Sequence, residues 1–237
     1  MKEPWRSFLR NKFSFAFPKK LSYICCRKHK NQIIMSLGIE VNRNKIGGML
    51  EYISSRIPNV SLRKLLKIIY LIDEKAVEER AFPITWLDYY AWEKGPVSPE
   101  VYEVKNGAFS DFVYCKRAES DNKWCVFPKK NAAFLIDKDM NYCSQWEINL
   151  IERVVEDCKN KTAYELTDET HRPESLWYKV VTNNKIDFSQ DSKTDYLLDF
   201  NSLNEGNQLH LDIYEDALDS VYMQSLINKE SCFSQAR

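Results

Sequence analysis

Apolar residues recur at helical spacing along two stretches of the N-terminal half. Ile46, Met49, Leu50, Ile53 and Ile57 fall at three- and four-residue steps, which predicts an amphipathic helix over 44–56, ended by Pro58. Gly47-Gly48 weakens the start of that helix or lets a neighbour approach closely. Ser61 then offers a side-chain cap for a helix over 62–79, with Leu62, Leu65, Leu66, Ile69, Ile72 and Ala76 on one face. Tyr70 and Leu71 widen the apolar arc, so this helix is expected to be central. Lys64, Lys67, Asp73, Glu74 and Lys75 fall outside the arc and are expected to form a solvated face.

The stretch from Pro83 to Tyr102 is dense in rings. Trp86, Tyr89, Tyr90 and Trp92 are expected on one helix, which Gly95 ends because glycine adopts the left-handed cap conformation without steric cost. Pro96 cannot continue a helix. Ser98-Pro99-Glu100 then opens another: a capping hydroxyl, a proline at the first helical position, and a carboxylate at the positive end of the dipole. The expected result is a sharp aromatic corner between two helices. On local physics such a corner is structural, since aromatics at helical spacing are usually core.

Beyond the corner, Phe112–Cys115 and Trp124–Phe127 are rich in strand formers and flank the turn-forming run Glu119–Asn122, which predicts a β-hairpin with Cys115 and Cys125 facing each other as small core residues. Ser144 and Glu147 form a capping box, opening a helix to about Cys158 with Ile148, Ile151, Val154 and Val155 inward. Thr162 and Glu165 form a second one, opening a short helix to about Thr170. A final helix is predicted over about 212–227, after a polar, loop-like stretch over 187–210.

Charge divides the chain where hydropathy does not. The 237 residues are 44% apolar and carry no net charge, yet residues 1–34 hold nine cations against Glu3 alone, a local charge of +8. This arm mixes Trp5, Phe8, Phe13, Phe15 and Phe17 with its cations. It reads as a segment that touches nucleic acid or an anionic membrane surface, as a targeting peptide, or as sequence upstream of a true start at Met35. From Asn183 onward ten acids face four bases, a charge of −6, which disfavours nucleic acid as a partner of the body and suits a basic protein. No apolar run approaches the length that spans a bilayer.

The chemistry that composition allows is limited. Seven cysteines without a C-x-x-C pair read as reduced thiols in a cytoplasm. Cys25, Cys26 and His29 lack a fourth ligand, so no metal and no cofactor is expected. His171, beside Asp168, Glu169 and Thr170, could act as an acid–base group. No nucleophile motif accompanies it, and a lone titratable group more often holds a turn.

Three segments together resemble a known family. They are Leu65–Asp73, then Phe82–Thr85 with Ala91-Trp92-Glu93-Lys94-Gly95-Pro96-Val97-Ser98-Pro99-Glu100-Val101-Tyr102, then Tyr164–His171 with Trp177-Tyr178. This series is similar to the Panacea domain, shared by SocA-like antitoxins and phage-associated proteins of the GepA type, over about residues 44–180. The resemblance implies a mainly α fold with a small β-hairpin, in a bacterial or phage cytoplasmic protein that neutralises a toxin encoded beside it by direct binding. Some relatives act instead as adaptors that deliver a partner to an ATP-dependent protease. The resemblance carries no catalytic residues. The expected organisation is a basic extension over 1–34, a Panacea-like helical domain over 35–182 and an acidic region over 183–237 ending in a helix. The corner is the expected partner surface, through Trp86, Tyr89, Tyr90, Trp92, Lys94 and Tyr102, because aromatic anchors dominate interface energetics. Gly95, Pro96, Ser98, Pro99, His171 and Trp177 are the expected structural motif.

Overall fold

The structure, a computed structural model, describes residues 35–36, 39–119, 122–130 and 143–235. Everything expected of residues 1–34 lies outside them. Among the described residues the chain forms seven α-helices and three two-stranded antiparallel pairs, the mainly α architecture with minor β that the resemblance implied. The first pair joins β1 (Met35–Ser36) to β2 (Ile39–Glu40).

Helix α1 spans Arg43–Arg56 and starts at Asn42, whose side chain accepts the Lys45 N–H at 3.0 Å. Gly47 serves close approach: a Cβ there would lie 2.3 Å from the Phe112 ring. Helix α2, Leu62–Arg80, is capped by Ser61 as expected and ends at Ala81 in the left-handed conformation, φ 71°.

The solvated face expected on α2 is absent. Lys67 is 1% exposed, Asp73 0%, Glu74 3% and Lys64 9%, so of the five polar positions only Lys75 faces solvent. The reason lies in the run Ile68-Ile69-Tyr70-Leu71-Ile72, five consecutive buried apolar residues that occupy every side of the helix. A helix apolar all round is surrounded by protein, and the polar residues between its apolar ones go inside with it. Each then needs a partner. Lys64 donates to the Lys159 carbonyl at 2.8 Å, and Glu74 accepts the Tyr70 hydroxyl at 2.9 Å and pairs with Arg172 at 3.3 Å.

The aromatic helix expected before Gly95 is not there either. Tyr90–Trp92 is a strand, β3, paired with β4, Gly95–Val97, through Tyr90↔Val97, Ala91↔Pro96 and Trp92↔Gly95. Gly95 ends no helix. It stands just after the two-residue turn Glu93-Lys94 with φ +95°, a left-handed conformation that glycine adopts without steric cost. The ring-rich, β-branched composition of this stretch fits a pleated strand better than a helix. Ser98 does precede a helix with proline first, but α3 (Pro99–Tyr102) is a single turn, continued by a 3-10 turn over Glu103–Asn106. The Ser98 hydroxyl donates to the Glu100 carboxylate at 2.8 Å and caps no backbone N–H.

Strands β5 (Val113–Arg117) and β6 (Trp124–Pro128) form the expected hairpin. Its register sets Cys115 opposite Val126 and Cys125 opposite Lys116, so the two half-buried cysteines point to opposite faces and do not meet as expected. Both capping boxes form. They open α4 (Gln145–Lys159) and α5 (Ala163–Thr170), and Ile148, Ile151, Val154 and Val155 are buried as expected. Ser175 caps α6, Leu176–Asn183. The last helix, α7, runs Gln208–Gln235, longer than the pattern indicated.

Candidate functional site

Asp73 of α2 organises the loop that leads into the β3–β4 hairpin. It accepts the Ile84 and Thr85 N–H groups at 2.9 Å each, the Tyr89 hydroxyl at 2.7 Å, and the Thr85 hydroxyl. Burial pushes its carboxyl up from the usual range, and those four donors pull it back. Tyr89 is therefore core, 1% exposed, with its ring edge-on to Tyr70 at 5.4 Å and to Phe200 at 5.6 Å. It cannot anchor a partner.

Nearly two turns earlier on α2, Lys67 reaches the other side of the hairpin and donates from Nζ to the Pro96 carbonyl at 3.0 Å. From the opposite direction come Thr170, the last residue of α5, and His171, which caps it. The point where a side chain on residue 95 would begin lies 2.4 Å from Lys67 Nζ, 2.9 Å from Thr170 Oγ1 and 3.0 Å from His171 Nε2. Three polar atoms from distant parts of the chain thus close on the one position that has no Cβ. The His171 ring stacks flat on Trp177, centroids 3.6 Å apart and 5° from parallel, and the Trp177 indole N–H donates to the Trp92 carbonyl at 2.7 Å. The motif residues Gly95, Pro96, His171 and Trp177 are in this way one unit, with Lys67 as the member the sequence pattern concealed.

Electrostatics follow from the packing. Burial holds the Lys67 ammonium well below its ordinary range. Burial first, then the Lys67 charge, lowers His171 to about 4. His171 Nε2 is buried without a hydrogen-bond partner among the described residues. A lysine and a neutral histidine side by side could exchange a proton. The space between them, however, is taken up by Gly95 itself, and no atom of a substrate fits where even a methyl carbon would collide. Three of the thiols are poor nucleophiles, since burial pushes Cys115, Cys143 and Cys158 up to about 11. Among the described residues no three His, Cys, Asp or Glu side chains gather as a metal site, and no helix is long and apolar enough to cross a membrane.

The remaining aromatic residues of the corner are partly covered, in part by the acidic segment that follows α6. Residues 192–198 run along β3, with one bridge at Tyr90↔Leu197: the Ala91 N–H donates to the Tyr196 carbonyl at 2.9 Å, the Glu93 N–H to the Ser192 carbonyl at 2.9 Å, and the Leu198 N–H to the Tyr89 carbonyl at 2.8 Å. Lys193 Nζ lies 4.8 Å from the Trp92 ring and 5.2 Å from Tyr102, and those two rings meet edge to face at 5.0 Å. Trp86 packs on Tyr214 of α7 at 5.4 Å. Trp86, Tyr90, Trp92 and Tyr102 are half-buried, and Lys94, at the hairpin turn, is exposed.

Residues 65–178 match the family described as antitoxin SocA-like, Panacea domain. That stretch is similar to the Panacea domain. The match takes in the Lys67 end of α2, the hairpin, the Gly95 node and Trp177, a little under half of the 237 residues. The segment over 192–198 and helix α7 lie beyond it. No curated protein and no solved structure matches the chain. Within the matched stretch the motif residues are thus the internal joint between α2, the hairpin and α5, more than a displayed surface.

Proposed function

We propose that this chain is an antitoxin that neutralises a toxin encoded beside it by direct binding in the cytoplasm, without chemistry of its own. The Panacea domain over residues 65–178 carries this reading, since the family is described by that role. Two observations support binding over catalysis. The pair Lys67 and His171 is packed around Gly95 with no room for a reactant, and the thiols of Cys115 and Cys158 are held in their unreactive form. No feature among the described residues favours delivery of a partner to an ATP-dependent protease. The test is growth of cells expressing the neighbouring gene product alone and together with this chain. Growth arrest relieved by the chain is expected. A neighbour that is harmless alone, or whose toxicity persists, would overturn the proposal.

A further inference from the structure

Helix α7 presents two kinds of outward side chain in succession. Asp212, Glu215, Asp216 and Asp219 are exposed on its first half. On the turns that follow, Tyr222, Met223, Leu226 and Ile227 are 48, 55, 37 and 56% exposed. Its other face is inward, with Tyr214 only 7% exposed against Trp86, and Leu218 packed on the core. Asp212 and Asp216 are neighbours on the helix surface, as are Glu215 and Asp219, Tyr222 and Leu226, and Met223 and Ile227, each pair four residues apart. Single exposed apolar residues are ordinary, whereas four within six positions form a patch that calls for a partner. Like charges at this spacing destabilise a helix, so the acidic half is also unfavourable until a cation meets it. No lysine or arginine occurs from Thr194 to Asn228, and none of the four carboxylates has an ion-pair partner among the described residues.

We propose that this strip of α7 is the surface that receives the toxin, and that the segment it receives is a basic, amphipathic one, with cations against Asp212–Asp219 and apolar side chains in Tyr222–Ile227. The proposal rests on the antitoxin reading above. Charge fixes the class of partner: a strip with four carboxylates and no cation repels the phosphates of nucleic acid and of anionic lipid, and attracts a positively charged protein face. An apolar patch beside such a strip matches recognition of a helix by one apolar face. The alternative surface, the aromatic corner, already carries the chain's own segment over 192–198.

The experiment uses the full chain with the product of the gene beside it, in two variants built only from exposed residues. The first is Asp212→Lys with Asp216→Lys and Asp219→Lys. The second is Leu226→Ser with Ile227→Ser. Growth rescue and the dissociation constant of the purified pair are read for both, and thermal melts check that each variant folds. The charge reversal is expected to weaken binding at least 100-fold at low salt and the apolar pair at least 10-fold, both with loss of rescue. Tyr114→Ser on the β5–β6 hairpin should leave both readouts unchanged. Wild-type affinity and full rescue in either α7 variant, with the native chain active, would overturn this surface and leave the antitoxin reading standing. A native chain that neither binds nor rescues would overturn both. Light scattering adds one further outcome: a native dimer that dissolves in the serine variant at unchanged toxin affinity would make this face a self-association surface and overturn the proposal.

Discussion

Gly95→Ala tests the joint at the heart of the domain, and Gly107 supplies its control. Both glycines sit at nearly the same left-handed angle, φ +95° and +98°. An alanine at either must therefore adopt a conformation that costs about 1–2 kcal/mol. At Gly107 the new methyl meets nothing within 4 Å, so that cost is the whole effect. At Gly95 it arrives 2.4 Å from Lys67 Nζ, with Thr170 Oγ1 and His171 Nε2 within 3.0 Å. The tip of a lysine yields readily on a surface, but Lys67 is 1% exposed and its retreat breaks the bond to the Pro96 carbonyl. Leaving a buried donor and acceptor unmet adds about 1–3 kcal/mol. Gly95→Ala should therefore cost about 2–5 kcal/mol, and Gly107→Ala about 1–2 kcal/mol. Urea unfolding of the two variants against the native chain measures the difference. Equal midpoints for the two would refute the reasoning, because they would show that only backbone strain matters at residue 95.

Other perturbations have defined outcomes. His171 titrates near 6.5 when unfolded and at about 4 in the fold, so between those values the unfolded chain takes up the proton first and stability falls as the pH drops. Its partial exposure limits the loss to about 1–2 kcal/mol, and His171→Phe, which keeps a ring on Trp177, should remove that part of the acid dependence in urea titrations at pH 7 and pH 4.5. Lys67→Met deletes the neighbouring charge, so the His171 imidazole followed by proton NMR should titrate higher than in the native chain; an unchanged or lower value would remove Lys67 from the joint. At Asp73 the nature of the replacement decides. Asparagine can keep the Ile84 and Thr85 N–H groups on its oxygen while its amide donates to the Thr85 and Tyr89 hydroxyls, so Asp73→Asn should cost about 1–2 kcal/mol. Asp73→Ala strands four buried donors and should cost about 3–5 kcal/mol by thermal unfolding.

The helices were legible where the apolar period and the caps agreed. Ser61, Ser144 and Thr162 all cap helices as expected, and both capping boxes form in full, because these signals act within four residues and need no tertiary context. Two features misled for the same physical reason. The polar positions of α2 read as an outer face because they fall off the densest apolar arc, yet Ile68–Ile72 already left the helix no side free for solvent. Trp86, Tyr89, Tyr90 and Trp92 lie at helical spacing, but the pairing of Tyr90–Trp92 with Gly95–Val97 and the bonds to residues 192–198 decide their conformation, and the second of these reaches across about a hundred residues. Of the motif, Gly95, His171 and Trp177 could be picked out by residue type. Lys67 could not, since a lysine in a helix looks solvated until its surroundings are known. The register of the β5–β6 cysteines was equally hidden, because a shift of one residue moves every side chain to the other face.

The central claim is that the chain acts by occupying its partner, without turnover. Titrating the purified chain into the purified product of the neighbouring gene, while following that protein's own activity, tests this most directly. The account predicts a linear fall to zero at a fixed stoichiometric ratio, with the intact toxin recovered active once the complex is dissociated. Complete inactivation by a small molar fraction of the chain, or a toxin recovered chemically altered, would contradict it.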